Sequence, residues 1–482
     1  MAEKISFNPL PEMFNAEAIA MVGASNNVDT MGSVLLINTL KGGFVGRLYP
    51  VHPKEKEVMG LKAYKAVSDI PDVVDLAVIC VPTRVVPDII KDCGVKGVRN
   101  AVIISGGFGE TGAGGKKLEN EILALAQTHG IRFLGPNCIG IINPYRNLNM
   151  TTFPYFQGPG PLGLISQSGT YVTQVIHYLE QKGIRYSRAM SVGNQADLDL
   201  VDCIDYLGND PETLAIAIYI EGIKRPRAFL EMARRVSTKK PIVVLYVGGT
   251  EAGARSSATH TGAICAPNSL YSGLFNQAGV MEAHTIEELY EWAWALATQP
   301  IPAGRRVAIL TQSGGPAASL SDACEKYDLK VPIFSPELQA RLKPLVPSTG
   351  SYKNPVDLTY FRDIALMTDK MPRLILEDHG IDGLIIHGLM ATSWLRGYDA
   401  DPEVSAVNME QLTEMMKGLS KNLAQLPKDY KKPIICSTFM GRDIEVITKF
   451  LQDDDIPCFY GPEKAVSAMA ALCRYGEIRR RA

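Results

Sequence analysis

One histidine in this sequence lies in a loop suited to covalent chemistry. His260 stands within Ala258–Gly262, in a stretch of Gly, Ala and Ser that follows the apolar run at 239–249. Such a run predicts a buried parallel strand, and open α/β sheets bind ligands just beyond their strand ends. Small residues leave an imidazole accessible, although a lone histidine in a turn is more often an ordinary surface residue. Neighbouring motifs must therefore distinguish the two interpretations.

Two further motifs lie at the ends of predicted strands, and the pattern of apolar runs assigns these strands to one sheet. Glu221 follows the apolar run at 215–220, and Ser168, Gly169 and Thr170 lie between a strand and a helix. A carboxylate beside an imidazole fixes its tautomer and makes one ring nitrogen a better nucleophile. Hydroxyls and glycine at a helix N-terminus can hold an anion. Together these groups suit a transiently phosphorylated histidine, although a strand-end glutamate is often only an ion-pair partner.

The composition restricts the class of protein. The 482 residues indicate about three domains. A net charge of −2 argues against a nucleic-acid partner. No signal peptide or membrane span is expected from the sequence. The nine cysteines lack CxxC spacing, which favours reduced thiols in the cytoplasm and predicts no metal site.

Residues 1–152 read as a first α/β domain. Apolar runs ending in Gly, Pro or Ser alternate with helical patterns, which predicts βαβ units and a Rossmann-like parallel sheet. The turn at Gly23–Ser25 is not GxGxxG, but it can bring backbone N–H groups to a phosphate. The second strand is followed by Lys54 rather than closed by an acidic residue. This favours a phosphorylated nucleotide other than NAD, unless these strand ends are only tight turns.

The remainder of the chain contains a duplication. Ile165–Gly169 matches Leu310–Gly314 at an offset of 145 residues, and later runs match in the same order. We therefore expect two related α/β domains, at 153–302 and 303–482. The second copy has His387 at the strand matching Glu221 and has no counterpart of the His260 loop. Chemistry is therefore expected in the first copy, with the second as scaffold, interface or part of the site wall.

Nine sequence blocks resemble, in the same order, those of one known family. The family is that of the α subunits of NDP-forming acyl-CoA synthetases, typified by ADP-forming acetyl-CoA synthetase, in the succinyl-CoA synthetase superfamily. The blocks are GAS, VPTRVVPDII, IISGGFGETG, GPNCIGIINP, LISQSG, YIEG, EAGARSSATHTGA, FNQAGV and NPVDLT. The resemblance covers nearly the whole chain. It implies a Rossmann-like CoA-binding domain followed by two flavodoxin-like domains.

The resemblance also implies roles for individual residues. His260 would be the phosphohistidine, with Glu221 as its supporting carboxylate and the helix end at Ser168–Thr170 as the phosphate site. Asn137 would line the active site near the thioester. The implied CoA contacts are Gly23, Ser25, Lys54, Val81, Pro82 and Ser105. The implied reaction, that of an acid–thiol ligase, interconverts acyl-CoA, phosphate and NDP with acid, CoA and NTP through an acyl phosphate and the phosphohistidine.

The resemblance implies a partner as well. No part of the sequence resembles the ATP-grasp domain that accepts the phosphoryl group in this family. ADP or ATP and Mg²⁺ are therefore expected on a separate β subunit, in an α2β2 assembly. The chain departs from the family at Tyr246 and Gly249, where Lys and Arg are common, and at His52, where Asn is common. The departures bear on the acyl substrate, which the sequence does not identify.

Two other functions remain open at this point. One is a CoA or acyl-CoA sensor or scaffold without ligase activity; the presence of both His260 and Glu221 favours the ligase over this alternative. The other is a protein acyltransferase, which is disfavoured because no acetyltransferase domain is visible in the sequence.

Overall fold

The computed structural model describes residues 8–253, 255, 267–360, 363–390, 392 and 409–481. The chain divides into two compact units, Met1–His177 with Arg185–Leu289 and Tyr178–Ile184 with Tyr290–Ala482. Within the described ranges, the first unit contains two large sheets and a short hairpin, and the second unit contains one sheet. None of the described helices is both long enough and apolar enough to cross a lipid bilayer.

The first sheet is fully parallel, with strand order β2-β1-β5-β6-β7. The strands of this region are β1 Ala18–Val22, β2 Arg47–Val51, the hairpin strands β3 Glu57–Val58 and β4 Leu61–Lys62, β5 Leu76–Ile79, β6 Asn100–Ile103 and β7 Arg132–Leu134. The helices are α1 Leu10–Phe14, α2 Met31–Lys41, α3 Val86–Lys96 and α4 Ala113–His129. Ala18, Ala20 and Val22 pack into one apolar cluster. Ile19 and Met21 pack into another. Both faces of β1 are thus buried, as expected for a parallel sheet.

The second sheet has the order β14-β13-β12-β10-β11-β8-β9. Its strands are β8 Ile141–Asn143, β9 Leu148–Asn149, β10 Leu162–Ser166, β11 Tyr186–Ser191, β12 Ala215–Ile220, β13 Ile242–Tyr246 and β14 Met281–Ala283. The described helices are α5 Thr170–Thr173, α6 Ile176–Gln181, α7 Leu200–Asn209, α8 Pro226–Ser237 and α9 Asn268–Ala278. β8 pairs antiparallel with β11. This sheet therefore begins upstream of residue 152.

The third sheet is parallel, with the order β16-β15-β17-β18-β19. Its strands are β15 Val307–Thr311, β16 Val356–Asp357, β17 Gly383–His387, β18 Ile434–Thr438 and β19 Cys458–Tyr460. The described helices that follow α9 are α10 Ile286–Thr298, α11 Gly314–Lys326, α12 Pro336–Leu342, α13 Met371–Glu377, α14 Met409–Tyr430, α15 Val446–Asp453 and α16 Pro462–Arg481. The strand order along the chain is 2-1-3-4-5, as in the parallel part of the second sheet. This is the flavodoxin-like order, which places binding crevices at strand carboxyl ends.

Candidate active site

A buried glutamine locks the backbone at the carboxyl ends of β10 and β12. The Gln167 side-chain oxygen accepts hydrogen bonds from the Glu221 N–H and from the Gly222 N–H, the latter at 3.0 Å. Its side-chain nitrogen donates to the Gly222 carbonyl at 2.7 Å. The Gln167 N–H donates to the Tyr219 carbonyl at 3.2 Å. Sequence reasoning missed this residue, although the repeat carries a glutamine at both positions.

Glu221 is a buried carboxylate in an aromatic setting. It is 4% exposed, and the Tyr219 hydroxyl forms a hydrogen bond to it. Burial raises the pKa of Tyr219, and the Glu221 charge raises it further. The ring of Tyr171 lies 4.5 Å from that of Tyr219, measured between centroids. The raised pKa keeps Tyr219 a neutral hydrogen-bond donor to the Glu221 side chain at the end of β12.

The predicted anion loop follows β10, but the helix after it is short. α5 has four residues and is separated from α6 at Gln174 and Val175. β-branched residues are common in this stretch, and the Thr173 hydroxyl bonds back to the Gly169 carbonyl at 3.1 Å. Both features weaken a helix. A helix begins after Ser168 as expected, but it is short and interrupted, so the dipole of a long helix is not available here.

Gly169 and Ser168 are nevertheless closely packed. A Cβ on Gly169 would lie 2.8 Å from the Ile139 Cβ, so a side chain does not fit there. Ser168 is 7% exposed, and its carbonyl accepts a hydrogen bond from the Ser166 hydroxyl at 2.6 Å. Ile139 lies just after Asn137 and Cys138. The contact therefore brings the loop after β7 against the loop after β10.

The residues expected to contact CoA follow the ends of neighbouring strands. Gly23 follows β1 with φ +99°, and a Cβ there would lie 2.0 Å from the Cys80 carbonyl oxygen and 3.0 Å from Val81 Cγ1. The Ser105 hydroxyl accepts from the Val81 N–H at 3.1 Å and lies 2.6 Å from the Val81 carbonyl, to which it donates. Gly23, Val81 and Ser105 are thus brought together, and Pro82 follows directly. Because the Ser105 hydroxyl is engaged, its role is to hold Val81.

Ser25 and Lys54 lie at the β1–β2 side of this edge. The Ser25 N–H donates to the Ser33 hydroxyl at 3.0 Å, and that hydroxyl donates to the Ser25 carbonyl at 2.8 Å. Ser33 is fully buried and was not identified from the sequence. Lys54 is exposed after β2. The end of β2 is tied to the turn after β1, because the Gly23 N–H donates to the Val51 carbonyl at 3.2 Å.

Asn137 joins the ends of the first and second sheets. It adopts φ +59°, and its N–H donates to the Ser105 carbonyl at 2.9 Å. Its side-chain nitrogen donates to the side-chain oxygen of Asn194 at 3.3 Å. Asn194 lies after β11. The structure therefore connects the loop proposed for the thioester with the sheet that carries Glu221.

Three known domain families match successive parts of this chain. A CoA binding domain matches residues 17–144, a succinyl-CoA ligase like flavodoxin domain matches 159–296, and a ligase-CoA domain matches 307–481. The α subunit of acetate–CoA ligase [ADP-forming] II from Pyrococcus furiosus is 37% identical over 470 residues, covering 96% of this chain and 97% of that protein. The α subunit of isoenzyme I from the same organism is 36% identical over 478 residues, covering 97% and 98%.

The chain belongs to the ADP-forming acyl-CoA synthetase α-subunit family. A solved structure supports the same fold over nearly the whole chain. It is the dinucleotide forming acetyl-coenzyme A synthetase 1 of Ca. Korarchaeum cryptofilum in complex with phosphate and ADP, with a TM-score of 0.84 at 35% identity, covering 98% of each chain. The family resemblance and the α/β fold class predicted from the sequence are therefore confirmed.

His260 lies outside the described residues. The strand that precedes it in the sequence, β13, pairs in parallel with β12, and Tyr246 stands opposite Ile220 in the register. The chain therefore leaves β13 beside the strand end that carries Glu221.

The departures from the family pattern have structural reasons in this chain. Tyr246 is 9% exposed and stacks on Tyr271 at a centroid distance of 4.0 Å. A Cβ on Gly249 would lie 1.5 Å from the side-chain oxygen of the exposed Asn268, so a side chain there would displace that asparagine. His52 Nδ1 accepts a hydrogen bond from the Glu55 N–H at 3.1 Å. An asparagine side-chain oxygen would serve that turn in the same way.

Proposed function

We propose that this chain is the catalytic α subunit of an acid–thiol ligase that interconverts acyl-CoA, phosphate and NDP with carboxylic acid, CoA and NTP. The observation that carries the assignment is the buried Glu221 carboxylate, held at the end of β12 by Gln167 and Tyr219. It adjoins the strand that leads to His260. Similarity to α subunits named as ADP-forming acetate–CoA ligases supports the reaction class.

The proposed reaction has two chemical steps on this chain. Phosphate attacks the thioester carbonyl, the C–S bond breaks, and CoA leaves as the thiolate that takes up a proton. A ring nitrogen of His260 then attacks the phosphorus of the acyl phosphate, and the carboxylate leaves. Glu221 would accept a hydrogen bond from the other ring nitrogen and stabilise the cationic phosphohistidine. The phosphohistidine finally passes its phosphoryl group to NDP.

We assign the phosphate to the loop of Ser168, Gly169 and Thr170. Support comes from the position of this loop just beyond the carboxyl end of β10, where open α/β sheets bind ligands. The absence of a side chain at Gly169 allows the loop to approach Ile139 closely. Asn137 would lie on the thioester side of the same site. Its connection to Asn194 keeps it beside the second sheet.

We place CoA along the edge formed by Gly23, Ser25, Val81, Pro82 and Ser105. The close approach of Gly23 to Cys80 holds the turn after β1 against the end of β5, at the strand ends where open α/β sheets bind ligands. The Ser105 hydroxyl would act indirectly, by holding Val81. The exposed Lys54 would supply a positive charge to a CoA phosphate.

The nucleotide is assigned to a partner. We propose an ATP-grasp β subunit that binds ADP or ATP with Mg²⁺ and assembles with this chain as α2β2. The name of the similar proteins as α subunits supports a second subunit type. A cytoplasmic location is proposed because the eight described cysteines are all free thiols.

The domain division at residues 1–152, 153–302 and 303–482 is retained as a proposal. The three matching domain families support it. We further propose that the third domain lacks chemistry of its own, because β17 ends in His387 where β12 is followed by Glu221.

The test is a phosphorylation assay on the full chain. Incubation with acyl-CoA and labelled phosphate, or with labelled NTP and the β subunit, should give an acid-labile, base-stable label. His260→Asn should abolish labelling without unfolding the chain. His379→Asn is a matched control, because His379 is exposed and precedes β17, at the amino-terminal end of that strand. Full labelling of His260→Asn, or an acid-stable label, would exclude the phosphohistidine and favour a CoA sensor.

A further inference from the structure

A group of polar side chains beside Asn137 has no role in the proposed reaction. Asn194 is 6% exposed and Glu119 is 2% exposed. The side-chain nitrogen of Asn194 donates to Glu110 Oε2 at 2.6 Å and to Glu119 Oε2 at 2.9 Å. Its side-chain oxygen accepts from the Asn137 amide. One asparagine thus bridges two carboxylates and a residue proposed to lie at the thioester.

The two carboxylates are held as acceptors. Burial raises the pKa of Glu110, but hydrogen bonds from Asn194 and from the N–H groups of Gly107 and Phe108 outweigh it, so the pKa lies below its usual value. Glu119 Oε2 accepts from the Gly109 N–H at 3.2 Å. Glu119 Oε1 forms an ion pair with the Lys116 ammonium at 2.5 Å. An ionised carboxylate offers only acceptor atoms.

This polarity determines how both amides are oriented. Because two carboxylates face Asn194, its NH₂ group must point to them and its oxygen must point away, toward Asn137. Asn137 must then present its own NH₂ group to Asn194. Its side-chain oxygen lies on the other side, 3.1 Å from where a Cβ of Gly106 would stand. The group left for a ligand is an acceptor beside the turn after β6, suited to a thiol or an amide N–H of the CoA arm.

The loop that carries Asn194 is itself held in place. Gly193 and Gln195 adopt φ +50° and φ +54°. A Cβ on Gly193 would lie 2.3 Å from the Pro136 carbonyl oxygen, so the two loops touch through backbone. The Lys224 ammonium donates to the carbonyls of Asn194 and Gln195 at 2.6 and 2.8 Å. Lys224 follows Glu221 by three residues, so the same loop carries Glu221 and holds Asn194.

We propose that Asn194 is a positioning residue for the acyl-transfer half of the reaction, with Glu110 and Glu119 fixing its polarity. It acts by orienting the Asn137 amide and does not itself touch substrate. The proposal rests on the proposed function, because it assigns Asn137 to the thioester step. It predicts that the network matters to the reaction with acyl-CoA and not to phosphoryl transfer between NTP and His260.

The experiment measures two labelling rates on the same variant. Asn194→Asp removes the donor and adds a carboxylate beside two others. Labelling by acyl-CoA and phosphate should fall on the order of 10²-fold, because a misplaced contact group costs about that much. This loss should appear in kcat with the KM for acyl-CoA retained. Labelling by NTP and the β subunit should keep its wild-type rate. Asn194→Ala also removes the side-chain donor, without adding a charge.

A matched control separates positioning from stability. Asn143 is fully buried in the same unit, and its side-chain nitrogen donates to the Phe14 carbonyl at 2.8 Å. Asn143→Ala should lower the melting temperature and leave the ratio of the two labelling rates unchanged. If both rates fall together in Asn194→Ala, or if neither falls, the positioning role is refuted. If the wild-type chain takes label from NTP but none from acyl-CoA and phosphate, the proposed function fails instead.

Discussion

Replacing Gln167 by leucine tests whether one buried amide holds Glu221 in place. The Gln167 side chain satisfies three backbone groups, namely the N–H groups of Glu221 and Gly222 and the Gly222 carbonyl. A leucine of similar size would leave all three without this partner. Each unsatisfied buried group costs about 1–3 kcal/mol, so the low end for three groups is about 3 kcal/mol.

The repeat supplies the matched control for this change. Gln312 is 4% exposed, and its side-chain nitrogen has no hydrogen-bond partner in the described part of the chain. Gln312→Leu removes an unpaired donor, so it should cost less than about 1 kcal/mol or be stabilising. The two substitutions have the same chemistry at equivalent positions of the duplication.

The assay is hydrogen exchange read on peptides that cover each loop. A loss of about 3 kcal/mol corresponds to exchange on the order of 10²-fold faster at the Glu221 and Gly222 amides. Labelling of His260 should slow as well, since displacement of Glu221 disturbs the imidazole, whereas CoA binding should persist. Equal acceleration of exchange by Gln167→Leu and Gln312→Leu in their respective loops would refute the reasoning. So would unchanged exchange in Gln167→Leu.

Three other outcomes are expected. CoA at about 100 times its Kd should stabilise the chain by about 2.7 kcal/mol in calorimetry, whereas NAD should not; the reverse would overturn the CoA assignment. Gly23→Ala should weaken CoA binding and lower stability, because Gly23 has φ +99° and the added Cβ would meet the Cys80 carbonyl. Gly60→Ala is the control: Gly60 has a similar φ of +79° but open space around it, so this variant should leave CoA binding intact. Burial lowers the pKa of His387 to about 4. As the pH falls, the unfolded chain takes up a proton on this histidine near pH 6.5, whereas the folded chain does so only near pH 4. The free energy of unfolding should therefore fall by up to about 3 kcal/mol between pH 6.5 and pH 4. His387→Ala should abolish that dependence and leave His260 labelling intact; loss of labelling in a folded variant would give the third domain a direct role.

Pairing between strands that are far apart in the sequence explains why the sequence pattern did not predict which sheet contains β8 and β9. β8 and β9 stand upstream of residue 152, yet β8 pairs with β11 in the second sheet. Apolar periodicity reports that a segment is extended, and it says nothing about which sheet receives it. The break between α5 and α6 was missed for a local reason, since an apolar pattern at helical spacing continues across residues whose branched side chains disfavour helix.

The amino-acid sequence by itself determined the fold class, the duplication and the strand ends at which chemistry is expected. Period-two and helical patterns, with Gly, Pro and Ser at their ends, are local properties, so they survive without knowledge of the fold. It also singled out Glu221 and His260 as unequal features of the two copies. Only the tertiary structure showed that Gln167 holds Glu221 and that Ser105 holds Val81.

The Asn194 network shows the same division most clearly. Its amide meets Glu110 and Glu119, 84 and 75 residues away in the chain. No spacing rule connects residues so far apart. A side-chain amide can bond to donors and to acceptors. The folded backbone decides which of these groups lie within its reach. That choice is made by packing across two sheets, so residue types alone do not contain it.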